Sequence, residues 1–468
     1  MADVLEFDPA NAGERIEGSG LDAWLKEARE LLKLAGPLVI TQLAQMAILT
    51  TDIIMLSRYS ETALAGAGLG NTVFFLCWLI GTGPAAAVSP MVAHILGAHP
   101  KDRANVRGVV RMGLWSVLVL WLPLAVLLFS TEPLLMMVGQ NRELAHAASQ
   151  FVFPLAFGLP FSLGFQVLRN YSTALNRPNA SLIVMALTVF FNAAGDYALI
   201  FGHFGAPRLG ITGAGIASAC SYAFSFFAMV VVIYLTPALK KYRMFRRFHR
   251  PDWAKFAELY KLGIPIGLTM IFEAMLFNSS MLIMGTFGTE YVAAHQIALN
   301  VPSITFMVPL GIALAATVRV GLSAGAGDRV GVRRAGYTAM IIGAGFMLVC
   351  AIVLGLFPRA IAELYFAPTP TNAHVISLVV SFLYLAAAFQ VFDGLQVVGA
   401  LSLRGLKDAR APMWIAGACY WIAGFPTCYL LGVTFGMKGT GIWIGLAFAL
   451  LVAAAAMCGR FYYLARDR

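Results

Sequence analysis

Four carboxylates stand inside long apolar runs of this chain: Asp52 in ILTTDIIML, Asp196 in FFNAAGDYALIFG, Glu273 in IFEAMLFNSS and Asp393 in AAAFQVFDGLQVVGAL. A charged side chain at the centre of an apolar helix costs about 2.5–3.5 kcal/mol on insertion scales, so acids persist there mainly where they face a cavity or a partner. Asn192 precedes Asp196 by four residues and shares its helix face, a set of oxygen ligands that Asp52, in the same half of the chain, is placed to complete. Glu273 and Asp393 belong to different runs, and no Lys or Arg inside a run is an obvious counter-ion to either. Two carboxylates brought together cannot both ionise cheaply; they share a proton or bind a cation. Either arrangement makes an ion-coupling site, and Na+, a hard cation, accepts carboxylate, amide and hydroxyl oxygens. The plainer alternative for each acid is a structural carboxylate, hydrogen-bonded to a neighbouring helix or held near the lipid headgroups. Gln45, Gln296, Asn300 and Gln396 are polar residues in apolar segments, assigned to a substrate cavity and equally consistent with interhelical hydrogen bonds. Phe389, one turn before Asp393, is assigned to the same cavity.

The elements that must hold these residues follow from composition. Of 468 residues 59% are hydrophobic and only 12% charged, with a mean hydropathy of +0.77, against about 25% charged in soluble domains. Apolar stretches long enough to cross a bilayer recur along nearly the whole chain and predict an all-α polytopic membrane protein of about twelve spans. They centre near Leu43, Trp78, Leu118, Leu155, Ala186, Phe224, Met270, Met307, Phe346, Leu383, Cys419 and Phe448. The polar segment before the first span lacks the basic region and short apolar core of a signal peptide, so no cleavage is expected. The net charge of +10 collects in alternate loops rather than in one patch for nucleic acid. Lys240, Lys241, Arg243, Arg246, Arg247, Arg250 and Lys255 fill one loop; Arg169 with Arg177, Arg329 with Arg333 and Arg334, Lys101 with Arg103 and Arg107, and Arg404 with Lys407 and Arg410 fill others. The loops between carry scattered cations only, and the positive-inside rule then places both termini in the cytoplasm. The six cysteines lie in or near apolar segments without CxxC spacing and are read as packing residues; His94 and His295, near span ends, are given structural roles.

The chain repeats itself. ELLKLAGPLVITQLAQMAILTTD from Glu30 matches ELYKLGIPIGLTMIFEAMLFNSS from Glu258 without a gap, pairing Pro37 with Pro265, Gln45 with Glu273 and Asp52 with Ser280. A second match, LGITGAGIAS from Leu209 with FGMKGTGIWI from Phe435, closes each half. Six spans per half return the chain to its starting side, so the repeats are parallel, the plan on which alternating access operates. The expected organisation is a cytoplasmic segment at 1–30, a first lobe at 31–236, a basic linker at 237–257, a second lobe at 258–464 and a short tail at 465–468. Pro37 and Pro265 each remove a helical N–H within a span and invite a kink.

No GxxxxGK[ST] loop, HExxH or GxSxG is present, so an enzyme reading has little support and no cofactor is expected. Four segments in order, TTDIIMLS with Pro37 upstream, NAAGDYALIFG, AAHQIALNVPSITFMVPLGIALAATVRVG and GLKDARAPM, together resemble the multidrug and toxic compound extrusion (MATE) family in its NorM-like branch. That resemblance implies a monomeric antiporter of the bacterial inner membrane that expels cationic amphipathic drugs and dyes in exchange for H+ or Na+. By motif it assigns Asp52, Asn192 and Asp196 to a first-lobe coupling site and Glu273 with Asp393 to a second-lobe site. Phe389 stands where some NorM-like members carry a tyrosine, which removes a hydroxyl ligand and weakens the case for Na+ there. A flippase for lipid-linked precursors, sharing the superfamily architecture, and a non-transporting receptor are the alternatives; the flippase needs a cluster of Arg or Lys inside the spans for a diphosphate.

Overall fold

The computed structural model describes residues 20–246, 248–365, 369 and 372–467. These residues form helices and their connections, and twelve of the helices are long and apolar enough to cross a membrane. Numbered in chain order, they are α1 (Leu21–Ser57), α2 (Glu61–Ala98), α3 (Arg103–Phe129), α4 (Arg142–Ala174), α5 (Asn179–Phe201), α6 (Ile211–Leu235), α7 (Trp253–Gly285), α8 (Thr289–Gly325), α9 (Arg329–Leu356), α10 (Ala373–Gly405), α11 (Arg410–Thr434) and α12 (Lys438–Asp467). Each span centre read from the sequence falls in its own helix. The chain is a multi-pass membrane protein, and helices suit it because lipid offers no partner to an unpaired backbone group.

Local chemistry repeats between the halves. The Asp102 carboxylate accepts the N–H of Asn105 to cap α3, and Asp328 caps α9 through Gly331, at 3.1 and 2.9 Å. A short helix follows each of these spans, Thr131–Met137 after α3 and Pro358–Tyr365 after α9. At the ends of α4 and α10, Asn176 and Lys407 take the same left-handed conformation (φ 56° and 59°). The next residues, Arg177 and Asp408, donate their N–H groups back to Ser172 and Leu403 at 2.9 and 3.0 Å. One helix-stop geometry therefore serves two unrelated local sequences.

The compact units do not coincide with the repeats. One unit is Ile40–Gly267; the other joins residues 20–39 to 268–467. Helices α1 and α7 each pass from one unit to the other two residues after Pro37 and Pro265, which lie well inside them rather than at a helix start. Within the first unit the start of α7 lies on α2 so closely that a Cβ on Gly83 would strike the backbone of Gly263. Within the second, Gly311 of α8 meets the backbone of Val39 of α1 in the same way. Glycine is required at both positions because nothing larger leaves room for the facing backbone.

Helix α1 begins at Leu21, inside the segment expected to precede the first lobe, and buries Ala23, Glu27, Leu31 and Leu34. Helix α7 begins at Trp253, inside the expected basic linker. Amphipathic first turns carry too much charge to register as apolar runs. The rest of that linker docks on the first unit: Trp115 Nε1 donates to the Phe248 carbonyl at 3.0 Å and the Tyr171 hydroxyl to that of Leu239 at 2.9 Å.

In the first unit α4 is central, packed against α2, α3 and α6; in the second α10 holds the same place against α8, α9 and α12. Side chains such as Leu122 and Val126 of α3 or Ile341 and Leu348 of α9 stay exposed, as lipid-facing residues must in a protein whose outer surface meets hydrocarbon.

Candidate functional site

In the first unit, α1, α5 and α6 bring Asp52, Asn192, Asp196 and Ser218 together, all of them buried. The Ser218 hydroxyl donates to Asp52 Oδ2 at 2.9 Å. Asp52 faces both Asp196 and Asn192. Yet Asp52 Oδ1, both oxygens of Asp196 and both amide atoms of Asn192 lack a partner in hydrogen-bond geometry among the described residues. Burial of that many unpartnered polar atoms is costly. A proton held between the two carboxylates relieves it, and so does a hard cation accepting four oxygens from three side chains. Sequence spacing had already placed Asn192 and Asp196 on one face of a helix; the structure adds Asp52 to them and supplies Ser218, whose kind is too common in membrane helices to stand out.

Asp52 also lines a cavity in this unit with about 950 Å3 of atom-free space, its open mouth included. Gln45 lies on the same wall, and Phe74, Phe75, Trp78, Phe165 and Tyr222 form much of the remainder. Phe74 stacks on Tyr222 at 5.9 Å between centroids, and Trp78 Nε1 is fixed by Ser162 Oγ at 3.1 Å. Flat aromatic walls beside a carboxylate suit an aromatic cation, by ring contact and by charge.

In the second unit Glu273 (α7), Asp393 and Gln396 (α10) and Tyr420 (α11) converge. Asp393 lies within electrostatic reach of Glu273, and Gln396 faces both Glu273 and Tyr420. Asp393, Gln396 and Tyr420 are buried, and Glu273 is half-buried. Asp393 Oδ1, Gln396 Oε1 and the Tyr420 hydroxyl lack partners in hydrogen-bond geometry among the described residues. Tyr420 sits in a π-helical stretch, Ala418–Gly424, just before Pro426. The wider π turn accommodates a proline that cannot donate to the turn before it.

Two residues of this site were not visible in the sequence. Tyr420 supplies a hydroxyl to the site where Phe389 has none. Arg404 answers the expectation that Glu273 lacks a cationic partner: it lies in the last turn of α10, half-buried, within electrostatic reach of Glu273. Counting it with the loop cations hid it. Arg169 was hidden in the same way; it lies inside α4, buried, with Nη1 donating to Gln42 Oε1 at 2.9 Å and Gln45 Oε1 at 3.1 Å.

The other expected positions are elsewhere in the second unit. Gln296 is exposed on α8; Asn300, also exposed, accepts the Tyr365 hydroxyl at 3.0 Å. Phe389 is buried between Phe277 and Trp443, at 6.2 and 5.6 Å. Where the first repeat has Asp52, the second has Ser280, 3.5 Å from His295 Nε2, and the imidazole meets Trp443 edge-on at 5.5 Å. The two repeats thus carry their acids at different depths along equivalent helices.

The MatE family model matches this chain twice, over residues 37–198 and 265–430, beginning at each repeated proline. A protein of Mesorhizobium japonicum named "Probable multidrug resistance protein NorM" is 42% identical over 95% of both chains. One of the same name in Rhizobium meliloti is 41% identical, again over 95% of each. These names are those of resistance proteins rather than enzymes. Among solved structures, the eukaryotic MATE transporter AtDTX14 superposes with a TM-score of 0.83 at 21% identity, covering 95% of this chain and 98% of its own. A MOP superfamily transporter from Pyrococcus furiosus gives 0.84 at 20%, over 94% and 96%. At such identities the structures attest to the fold alone.

Proposed function

We propose that this chain, which belongs to the MatE family, is a secondary active exporter that expels cationic amphipathic aromatic compounds in exchange for protons. The observation that carries this reading is a pair of carboxylates in each unit, buried Asp52 with buried Asp196 and buried Asp393 with half-buried Glu273, three of which keep oxygens without a hydrogen-bond partner among the described residues. The names of its NorM relatives support a multidrug role, and the aromatic cavity beside Asp52 supports a flat cationic ligand.

In the proposed cycle a proton entering from outside is shared by Asp52 and Asp196, or by Glu273 and Asp393, and lowers the negative charge of that pair by one. A cationic drug binds best when those carboxylates are ionised. Ion and drug thus favour different states, the condition for either to shift the population. Alternating access of the two repeats then converts that preference into exchange. Na+ is the second candidate for the coupling ion, and Tyr420 replaces the hydroxyl that Phe389 lacks at the second site. We place the protein in the bacterial inner membrane as a monomer with both termini cytoplasmic. A flippase for a lipid-linked diphosphate fits less well, because the acid in the cavity would repel its headgroup.

The test is transport by Asp52→Asn, Glu273→Gln and Asp393→Asn in vesicles. Loss of gradient-driven ethidium efflux with normal membrane insertion is expected for each. Wild-type efflux in both second-unit variants would remove Glu273 and Asp393 from coupling.

A further inference from the structure

Where α3 hands over to α4, in the first unit, Glu132, Ser149 and Gln150 share a second cavity with Phe129, Met136 and Phe153, about 1010 Å3 of atom-free space with its open mouth included. It shares no lining residue with the cavity at Asp52. The face of α4 that borders it changes character along the helix. His146 and Gln150 are exposed near the start, and Phe153 and Phe157, exposed as well, continue the stripe at steps of three and four residues. Phe129 of α3 packs on both rings, at 5.3 and 5.4 Å between centroids, and Phe153 meets Phe157 at 5.7 Å. From His146 to Phe157 the stripe runs about 16 Å along the helix. Its polar end is charged and only partly answered. Gln150 Nε2 donates to His146 Nε2 at 3.1 Å, which leaves the ring hydrogen on Nδ1 to donate to Glu132 Oε2, also at 3.1 Å. The Ser149 hydroxyl stands 3.3 Å from the same oxygen. These partners are neutral, so Glu132 keeps its charge, and Oε1 takes none of them. Arg142, exposed in the first turn of α4, lies within electrostatic reach of Glu132.

We propose that this cavity binds phosphatidylethanolamine, with the ammonium on Glu132, the phosphate toward Arg142 and an acyl chain along Phe129, Phe153 and Phe157. The occupant follows from charge and from donors. Glu132 beside Arg142 matches a zwitterion, whereas a carboxylate repels a headgroup that is only anionic. Glu132 Oε1 accepts a hydrogen, which a primary ammonium supplies and a fully methylated choline headgroup does not. The three rings pack on one another, so they leave no gap between them of the kind that cages a quaternary ammonium. Charges at one end and rings below repeat the order of headgroup and chain in the lipid, and the occupant ties the end of α3 to α4. The site goes beyond the exporter reading and does not rest on it, since none of its residues belongs to an acid pair.

A matched pair of lipids tests it. Purified full-length protein is given palmitoyl-oleoyl phosphatidylethanolamine and the corresponding phosphatidylcholine in equal amounts, and the first lipid retained is read by native mass spectrometry. Wild type should retain the ethanolamine lipid about ten-fold better, the scale of one charge-assisted hydrogen bond. Glu132→Gln should remove that preference, because it takes away the charge while keeping the shape of the side chain. Arg142→Gln should lower both lipids together at least several-fold and keep their ratio, because both carry the phosphate. Equal retention by wild type, a preference for the choline lipid, or a ratio that survives Glu132→Gln overturns the site. Unchanged retention in Arg142→Gln overturns the placing of the phosphate. If Glu132→Gln does not fold, the wild-type ratio and Arg142→Gln, an exposed position, decide between them.

Discussion

Tyr420 and Arg404 give the second acid pair its character. Tyr420→Phe removes a buried hydroxyl that faces Gln396 beside two carboxylates and has no hydrogen-bond partner among the described residues, which leaves it for the coupling ion; a hydrogen bond to a charged group is worth about 1.5–3 kcal/mol. We expect the variant to insert normally while coupling-ion affinity falls about ten-fold or more, read as a shift in the ion concentration giving half-maximal efflux. An unchanged midpoint would limit Tyr420 to packing. Just before α7, Asp252 accepts the Lys255 N–H at 3.2 Å and pairs with its ammonium, which, with Arg111, holds the Asp252 carboxyl below the usual carboxylate range. Such a carboxyl stabilises the fold fully above its unfolded pKa, near 3.9, and loses that effect as the pH falls through the lower folded value. Asp252→Ala should therefore cost about 1 kcal/mol at pH 7 and equally at pH 5, measured by thermal unfolding in detergent. A cost that fades between pH 7 and pH 5 would contradict the pairing. The acids were legible from sequence because a carboxylate in an apolar run is expensive and conspicuous. Tyr420, Ser218 and Gln42 were not, because uncharged polar side chains are ordinary in membrane helices and only the fold shows which of them meet.

Helices α1 and α7 owe their division between compact units to residues that the repeat displayed. Each changes unit two residues after its proline, where the missing N–H weakens the helix. Pro37→Ala and Pro265→Ala should restore that hydrogen bond and stiffen the joint. The expected result is dye binding within about two-fold of wild type with efflux slowed at least several-fold, as for hinge residues; unchanged efflux would reduce the prolines to incidental kinks. Gly83 offers a packing test at the same level. Its Cβ would strike Gly263, so Gly83→Ala should cost about 1–3 kcal/mol of stability, and a neutral effect on detergent melting would contradict the contact. The prolines were visible as a matched pair, and the ungapped match of KLAGPL with KLGIPI set their register. Where the helices begin was not visible, since the first turns of α1 and α7 mix Glu27, Lys255 and Glu258 with apolar residues. Glu27 shows why those turns still fold into the protein: it is buried and receives Arg319 through two hydrogen bonds, at 2.8 and 2.6 Å.

Across the whole molecule, duplication with divergence yields two acid pairs, Asp52 with Asp196 and Glu273 with Asp393, whose first members stand at non-equivalent positions of the repeat. The duplication was readable in the sequence, and the family match beginning at Pro37 and again at Pro265 repeats it. The partition into compact units was not readable, because hydropathy records spans and not the neighbours a span chooses. Charge bookkeeping constrains the exchange. A monovalent cationic drug leaving against one proton moves no net charge, so a pH gradient drives it and a membrane potential does not. Potassium-diffusion potentials should therefore leave the rate of ethidium efflux unchanged. The most direct measurement of the central claim is ethidium efflux from proteoliposomes under a pH gradient alone and then under a Na+ gradient alone. Proton coupling through the paired acids predicts efflux under the first that Asp52→Asn, Glu273→Gln or Asp393→Asn abolishes. Efflux under the Na+ gradient alone, or efflux that survives loss of both pairs, would contradict it.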